Sequence, residues 1–245
     1  MIAAMAAEHN DLVIANRILA NEDVVDAYGH VSMRDPEDPQ RFFLARSLAP
    51  ELVEAGDIME FDLEGRALGG DQRQPYLERF IHGAVYEARP DVMAVVHAHA
   101  EDVLPFGITD APLRPVIHSG SFMGARVPVW DIRDRFGDTN LLVTSMAQGR
   151  DLAKSLDTNN VALMRGHGFV AAARSLIEVV RMSVYTPRNA RVQYRAMQLG
   201  EPKALSAGEI EARNAGYKPY SPETWRAWEY WATRAGCAHL LAKKS

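Results

Sequence analysis

The chain has 245 residues, 47% of them hydrophobic and 24% charged, with a formal net charge of −5 and a single cysteine, Cys237. That length supports one domain, or one with a small appendage, around a real core. The acidic balance without a basic cluster speaks against nucleic-acid binding, no apolar run reaches the length of a membrane span, and one cysteine excludes an intrachain disulfide.

The opening MIAAMAAEHNDL has no basic segment and turns acidic at position 8, so it does not read as a signal peptide. A cytoplasmic protein is the expectation. Leu12, Ala15, Ile18 and Leu19 then recur at helical spacing and predict an amphipathic first helix. AYGHVSMR, RFFLAR and IMEFDLEGRAL read as short strands, the last with a turn at Glu64-Gly65. Leu77, Phe80, Ile81, Ala84, Val85 and Ala88 predict the buried face of a second helix that Pro90 ends, and a strand over 92–99 follows at once.

Pro112, Pro115 and Pro128 punctuate short extended pieces, and a helix is expected around 150–156. NNVALMRGHGFVAAA predicts two strands around a Gly-His-Gly turn. A long helical pattern runs from Leu176 to Leu199, with Pro187 expected to kink it. Ser221 and Pro222 suit the cap and first residue of a last helix, on which Trp225, Trp228, Trp231 and Ala232 form a stripe. That stripe suits docking on the core or on a neighbouring subunit. Helices and short strands without regular βαβ spacing predict helices on a largely antiparallel sheet.

The candidate chemistry sits in VVHAHA, residues 95–100, where His97 and His99 share one face of an apolar strand. Two core histidines, each bonded to a carbonyl, would need two separate satisfactions; a shared metal ion answers both. A mononuclear site wants a third ligand. His167 in RGHGF suits it, although the same residue could be a turn histidine facing water. His82 lies four residues after Glu78, and a surface pairing of the two is expected. His30 and His118 are embedded in strand-like segments. Glu78 taken alone reads as a solvated helix-face carboxylate.

LERFIHGAVYEARPDVMAVVHAHA, with RGHGFVAAA some way downstream and YGHVSMR upstream, resembles the class II aldolase/adducin family over roughly residues 10 to 200. The resemblance implies α/β/α layers around a mainly antiparallel central sheet, a catalytic domain over 1–205, and a C-terminal connector and helix over 206–245. It implies a divalent metal on His97, His99 and His167, and Glu78 as the catalytic acid/base. It also implies a homotetramer with active sites at subunit boundaries. The family's sugar-phosphate aldolases carry a Ser-Ser pair before the glutamate, a G-N-V-S motif and a later tyrosine. Here those positions are Tyr76 and Leu77, then Gly29-His30-Val31-Ser32, then the neighbourhood of Ser119. With no such phosphate cradle, the chain is more similar to the branch that decarboxylates hydroxylated aromatic dicarboxylates, the 3,4-dihydroxyphthalate and 3-hydroxy-2-methylpyridine-4,5-dicarboxylate decarboxylases.

That similarity implies a carboxy-lyase of aromatic catabolism, with the metal as electron sink and Glu78 as proton donor, its pKa raised by an apolar pocket. Mn is the favoured ion, with Zn, Fe or Co open to the same ligands. Arg46 and Ser47 are the expected grip on the second carboxylate of an aromatic substrate, Arg46 otherwise being an ordinary surface arginine. His30, Ser32 and Tyr76 are further pocket candidates. His118, from a neighbouring subunit, is next in line to move the proton. The alternatives are an aldolase or dehydratase acting on a hydroxy-ketone or sugar phosphate, which needs the same metal and glutamate, and a non-catalytic interaction module, which would have lost these ligands.

Overall fold

The computed structural model describes residues 2–218 and 221–242, with side chains from residue 9 onward. Residues 219–220 and 243–245, part of the expected C-terminal segment, lie outside the described residues. In chain order the elements are α1 (Ile2–Asn21), β1 (His30–Arg34), β2 (Arg41–Ala45), β3 (Ile58–Asp62), α2 (Arg79–Ala88), β4 (Ala94–Ala98), α3 (Leu104–Gly107), β5 (Val129–Trp130), α4 (Arg133–Phe136), α5 (Met146–Leu156), β6 (Val161–Met164), β7 (Gly168–Ala173), α6 (Leu176–Met197), α7 (Ala207–Ala215) and α8 (Pro222–Arg234). The strands form one sheet in the order β3-β2-β1-β4-β7-β6-β5. Every pairing is antiparallel except β5 with β6.

Helices cover the sheet in two groups. α2 and α5 pack on each other and reach β4 and β6, while α1 and α6 pack on each other and reach β1, β4 and β7. The α2–α5 contact is close because of Gly149: a Cβ there would stand 2.5 Å from the Phe80 carbonyl oxygen. The central strands β4 and β7 are buried along their whole length, as expected of strands covered on both faces.

Local signals hold at most element ends. Ser145, Ser175, Ser206 and Ser221 each cap a helix by accepting the N–H three residues on. Pro187 lies inside α6, which continues to Met197. Two expectations change. The second helix starts later than its apolar pattern suggests, at Arg79, which leaves Leu77 57% exposed ahead of it. Its buried face is Ile81, His82, Ala84, Val85 and Tyr86, because packing on both α5 and the sheet sets its rotation. The proline-rich stretch holds a 3₁₀ helix over His118–Met123 rather than strands, so His118 is an exposed residue at a helical start.

The tryptophan stripe docks within its own chain. Trp228, Trp231 and Ala232 are buried, with α8 lying against α6 and α1. Removing the largest of these side chains should leave a cavity that the long helices cannot close. Trp228→Ala is expected to cost about 3–5 kcal/mol, read as a fall in the urea midpoint at unchanged slope.

Candidate metal centre

Period-two alternation along β1 and β4 builds the site. His30 stands opposite His97 in the antiparallel register, and Ser32 opposite Val95, so these residues share the sheet face covered by α2. His99 follows β4 on that same face. His167 sits in the β6–β7 turn, which is drawn hard against the end of β4. A Cβ on Gly168 would lie 2.2 Å from the Ala98 carbonyl oxygen, so only glycine allows that approach.

The three imidazoles surround a common point. Their ring centroids are separated by 4.7 Å (His97–His99), 4.9 Å (His97–His167) and 4.9 Å (His99–His167). His97 Nδ1 donates to the Phe169 carbonyl at 3.1 Å, which leaves the lone pair on Nε2 turned inward. His99 Nε2 is 2.9 Å from it. Glu78 joins from the residue just before α2, at its N-cap, with no cap bond from its side chain. Its Oε1 accepts the Val143 N–H at 2.9 Å, and its Oε2 lies 3.4 Å from His97 Nε2 and 3.5 Å from His167 Nε2.

These four residues fit a divalent ion. Their ligand atoms all lie within 4.8 Å of one another. Donors about 2.0–2.2 Å from a tetrahedral ion would be roughly 3.3–3.6 Å apart, close to the separations to Glu78. His167 Nδ1 is buried without a partner, a further sign that this ring is held for its other nitrogen. Burial, reinforced by His97 and His167, pushes His99 down to about 4, so it is a neutral ligand near pH 7.

Glu78 differs from expectation. Burial alone would raise its carboxyl, but the facing imidazoles of His97 and His167 hold it well below the usual carboxylate range. It rests as an ionised group and not as a protonated donor. It is also only 7% exposed, which excludes the solvated helix-face reading.

A cavity of about 390 Å³ opens beside the cluster, within the range of small-molecule sites. Glu78, His99, His30, Ser47, Tyr76 and Leu77 line it. The Tyr76 hydroxyl donates to the Leu48 carbonyl, and its ring lies 4.7 Å from that of His30. Arg46 is not in the lining: its Nε donates to Asp57 Oδ1 at 2.7 Å. Ser32 is fully buried behind His30, and His118 is remote from the cluster within this chain, its nearest polar partner being Ser119 Oγ at 3.4 Å.

The residue that sequence reasoning missed is His82. It is fully buried and does not pair with Glu78 at the surface. Its Nε2 is 2.6 Å from His30 Nδ1, and its Nδ1 is 2.6 Å from Ser32 Oγ, which is in turn 2.7 Å from the Tyr86 hydroxyl. His82 and Tyr86 stand four apart on α2 among apolar neighbours, the one sequence signal that could have found the chain of bonds.

The protons of this chain all point one way. Burial, with the neighbouring imidazoles, lowers His30 far below its ordinary value and His82 to about 3, so each neutral ring carries one N–H. The buried Tyr86 O–H finds its acceptor in Ser32 Oγ, so the Ser32 O–H must go to His82 Nδ1. His82 therefore donates from Nε2 to His30 Nδ1, and His30 is left with its proton on Nε2 in the cavity wall.

The chain matches the Class II Aldolase and Adducin N-terminal domain family over residues 10–194. It is 38% identical over 204 residues to Decarboxylase tropJ of Talaromyces stipitatus, covering 78% of this chain and 77% of that protein. It is 29% identical over 188 residues to 3,4-dihydroxyphthalate decarboxylase of Arthrobacter keyseri, covering 71% and 72%. Among solved structures, an aldolase II superfamily protein from Pseudomonas syringae superposes with a TM-score of 0.76 at 20% identity, covering 93% of this chain and 91% of that one, a likeness of fold.

Two outcomes test this site. Protein as purified should carry about one divalent ion per chain, and a His97→Ala, His99→Ala double variant should lose it in elemental analysis, since a metal site short of ligands binds poorly. Buried neutral His82 should also make the fold acid-sensitive. Between its unfolded value near 6.5 and its folded value of about 3, the unfolded chain binds the extra proton. That contribution is therefore complete above pH 6.5 and is lost as pH falls. The urea midpoint should drop from pH 7 to pH 5, and drop less in His82→Gln.

Proposed function

The chain belongs to the class II aldolase and adducin family, and from that premise we propose that it is a metal-dependent, non-oxidative decarboxylase of a hydroxylated aromatic carboxylate. The observation that carries the reading is the wall beside Glu78, where Tyr76 and Leu77 face the cavity in place of hydroxyl donors. A phosphate dianion would lack its cradle there, and hydrogen bonds to charged groups are worth about 1.5–3 kcal/mol each. An aromatic ring finds apolar surface instead. The decarboxylases among the similar proteins support the same choice.

His97, His99 and His167 would hold the ion, with manganese favoured and zinc, iron or cobalt suited to the same ligands. When bound, it supplies a Lewis acid for the substrate's oxygen atoms. The ionised Glu78 takes the proton of the ring hydroxyl ortho to the carboxylate and returns it to the carbon that bears that carboxylate. The bond from that carbon to the carboxylate then breaks, CO2 departs, and the electron pair stays in the ring as a phenolate that takes a proton from water. His30, held with N–H on Nε2, donates to a carboxylate oxygen, with Ser47 beside it. Arg46 is kept from that task by Asp57. His118 belongs to this scheme only from a neighbouring subunit of a tetramer. Residues 1–205 are its catalytic unit, and 206–245 the connector and packing helix.

The test is CO2 release from ortho-hydroxylated aromatic dicarboxylates with added manganese, alongside cleavage assays on fuculose 1-phosphate and ribulose 5-phosphate. Release of CO2 with no sugar-phosphate cleavage is expected; sugar-phosphate cleavage with no CO2 from any aromatic acid overturns the assignment. Glu78→Gln should keep the fold and lose about 10²–10⁴-fold in turnover, because an amide cannot exchange the proton.

A further inference from the structure

A second cavity, of about 330 Å³, lies at the opposite ends of β4 and β7 from the histidines. His97 pairs with Val170, whereas Ala173 in the wall of this cavity pairs with Ala94. At roughly 3.3 Å per residue, the two places are about 10 Å apart along the strands. Four arginines line it, Arg89, Arg174, Arg181 and Arg213, against two carboxylates, Asp91 and Glu178.

Two of the four are committed. Arg89 grips Asp91 through both its Nε (2.8 Å) and its Nη2 (2.9 Å), and Arg213 Nη2 lies 2.8 Å from Glu223. Arg181 is different. It is only 9% exposed, yet its guanidinium contacts are the faces of two rings, 5.3 Å from the centroid of Tyr217 and 5.4 Å from that of Tyr185. Among the described residues no hydrogen bond or ion pair reaches its N–H edge. Ring faces satisfy the plane of a guanidinium and leave its five donors unused. The Tyr217 hydroxyl is also buried, with Thr224 beside it but outside good hydrogen-bond geometry. Glu178, three residues earlier on α6, attracts Arg181 at longer range but forms no ion pair or hydrogen bond with it, and its Oε2 accepts the Arg174 backbone N–H at 3.2 Å.

A nearly buried guanidinium whose donors meet no carboxylate directly is costly, and an oxyanion that bonds those donors removes the cost. We propose that this cavity is a binding site for a small oxyanion of phosphate or dicarboxylate type, gripped by the guanidinium fork of Arg181 and the Tyr217 hydroxyl, with exposed Arg174 at its mouth. With Glu223, the partner of Arg213, counted beside Asp91 and Glu178, four guanidinium charges stand against three carboxylates, and the lining keeps one net positive charge for an anion. The site is separate from the metal centre and does not rest on the reaction proposed for it.

Calorimetric titration of the full-length, metal-loaded protein with inorganic phosphate and with succinate, against chloride at matched ionic strength, tests the proposal. Saturable binding of at least one of the two is expected, about one per chain, and Arg181→Gln should weaken it about 10- to 100-fold without changing the metal content. Arg174→Gln, on an exposed side chain, should weaken it less and serves if Arg181→Gln does not fold. Absence of saturable binding, or binding unchanged in both variants, overturns the proposal. So does an Arg181→Gln protein that dissociates into smaller species with its anion affinity intact, since the guanidinium would then serve a carboxylate of another chain.

Discussion

Three imidazoles and a carboxylate cannot be packed into the end of a buried sheet without something to hold them. Each loses its water there, and the nitrogens of His97 and His99 stand at 2.9 Å, too close for two bare lone pairs. The scaffold accepts this because β4 is clamped between β1 and β7, with Gly168 letting the β6–β7 turn close over Ala98. Glu78 is held from the other side by the Val143 N–H on Oε1, which leaves its second oxygen turned toward the cluster. The centre is thus assembled from one turn, a strand end and a helix start, none of which could hold an ion alone.

The same constraint shapes the layer behind the cluster. His30 lies opposite His97 on β1, and a charged ring there would repel a cation held by its neighbours. Burial keeps it neutral, and the chain Tyr86–Ser32–His82–His30 decides which nitrogen bears the proton. Neutral, directional polar groups in a dry place act as preorganised dipoles, worth more there than the same groups in water. The cavity wall is accordingly rigid on the His30 side, and Tyr76 is tied back through its hydroxyl to Leu48.

Charge is distributed between two ends of one sheet. Glu78 and three imidazoles occupy one end of β4 and β7, and arginines crowd the other. α6 links the two halves of the molecule, carrying Arg181 in its first half and Asn189 further on, which accepts the Val116 N–H and donates to the Arg114 carbonyl in the proline-rich stretch. The segment leading to His118 is therefore ordered from α6 and not from the metal centre.

What the sequence by itself determined is the part governed by short range. Strand periodicity puts His97 and His99 on one face, serine caps begin the helices, and the glycines around His167 announce a tight turn. The aromatic stripe of α8 likewise announces a buried face. Tertiary structure alone decided the rest, because it depends on the rotation and approach of whole elements. The rotation of α2, set by its contact with α5 at Gly149, buries His82 where spacing from Glu78 suggested a surface pair. That rotation also makes Ser32 a buried relay and not a pocket residue. The direction of the Glu78 shift was equally out of reach, since a carboxyl in an apolar pocket rises and one facing two imidazoles falls. Which of these wins depends on distances of about 3.5 Å between residues some twenty and ninety positions apart in the chain, and those exist only once the sheet has closed.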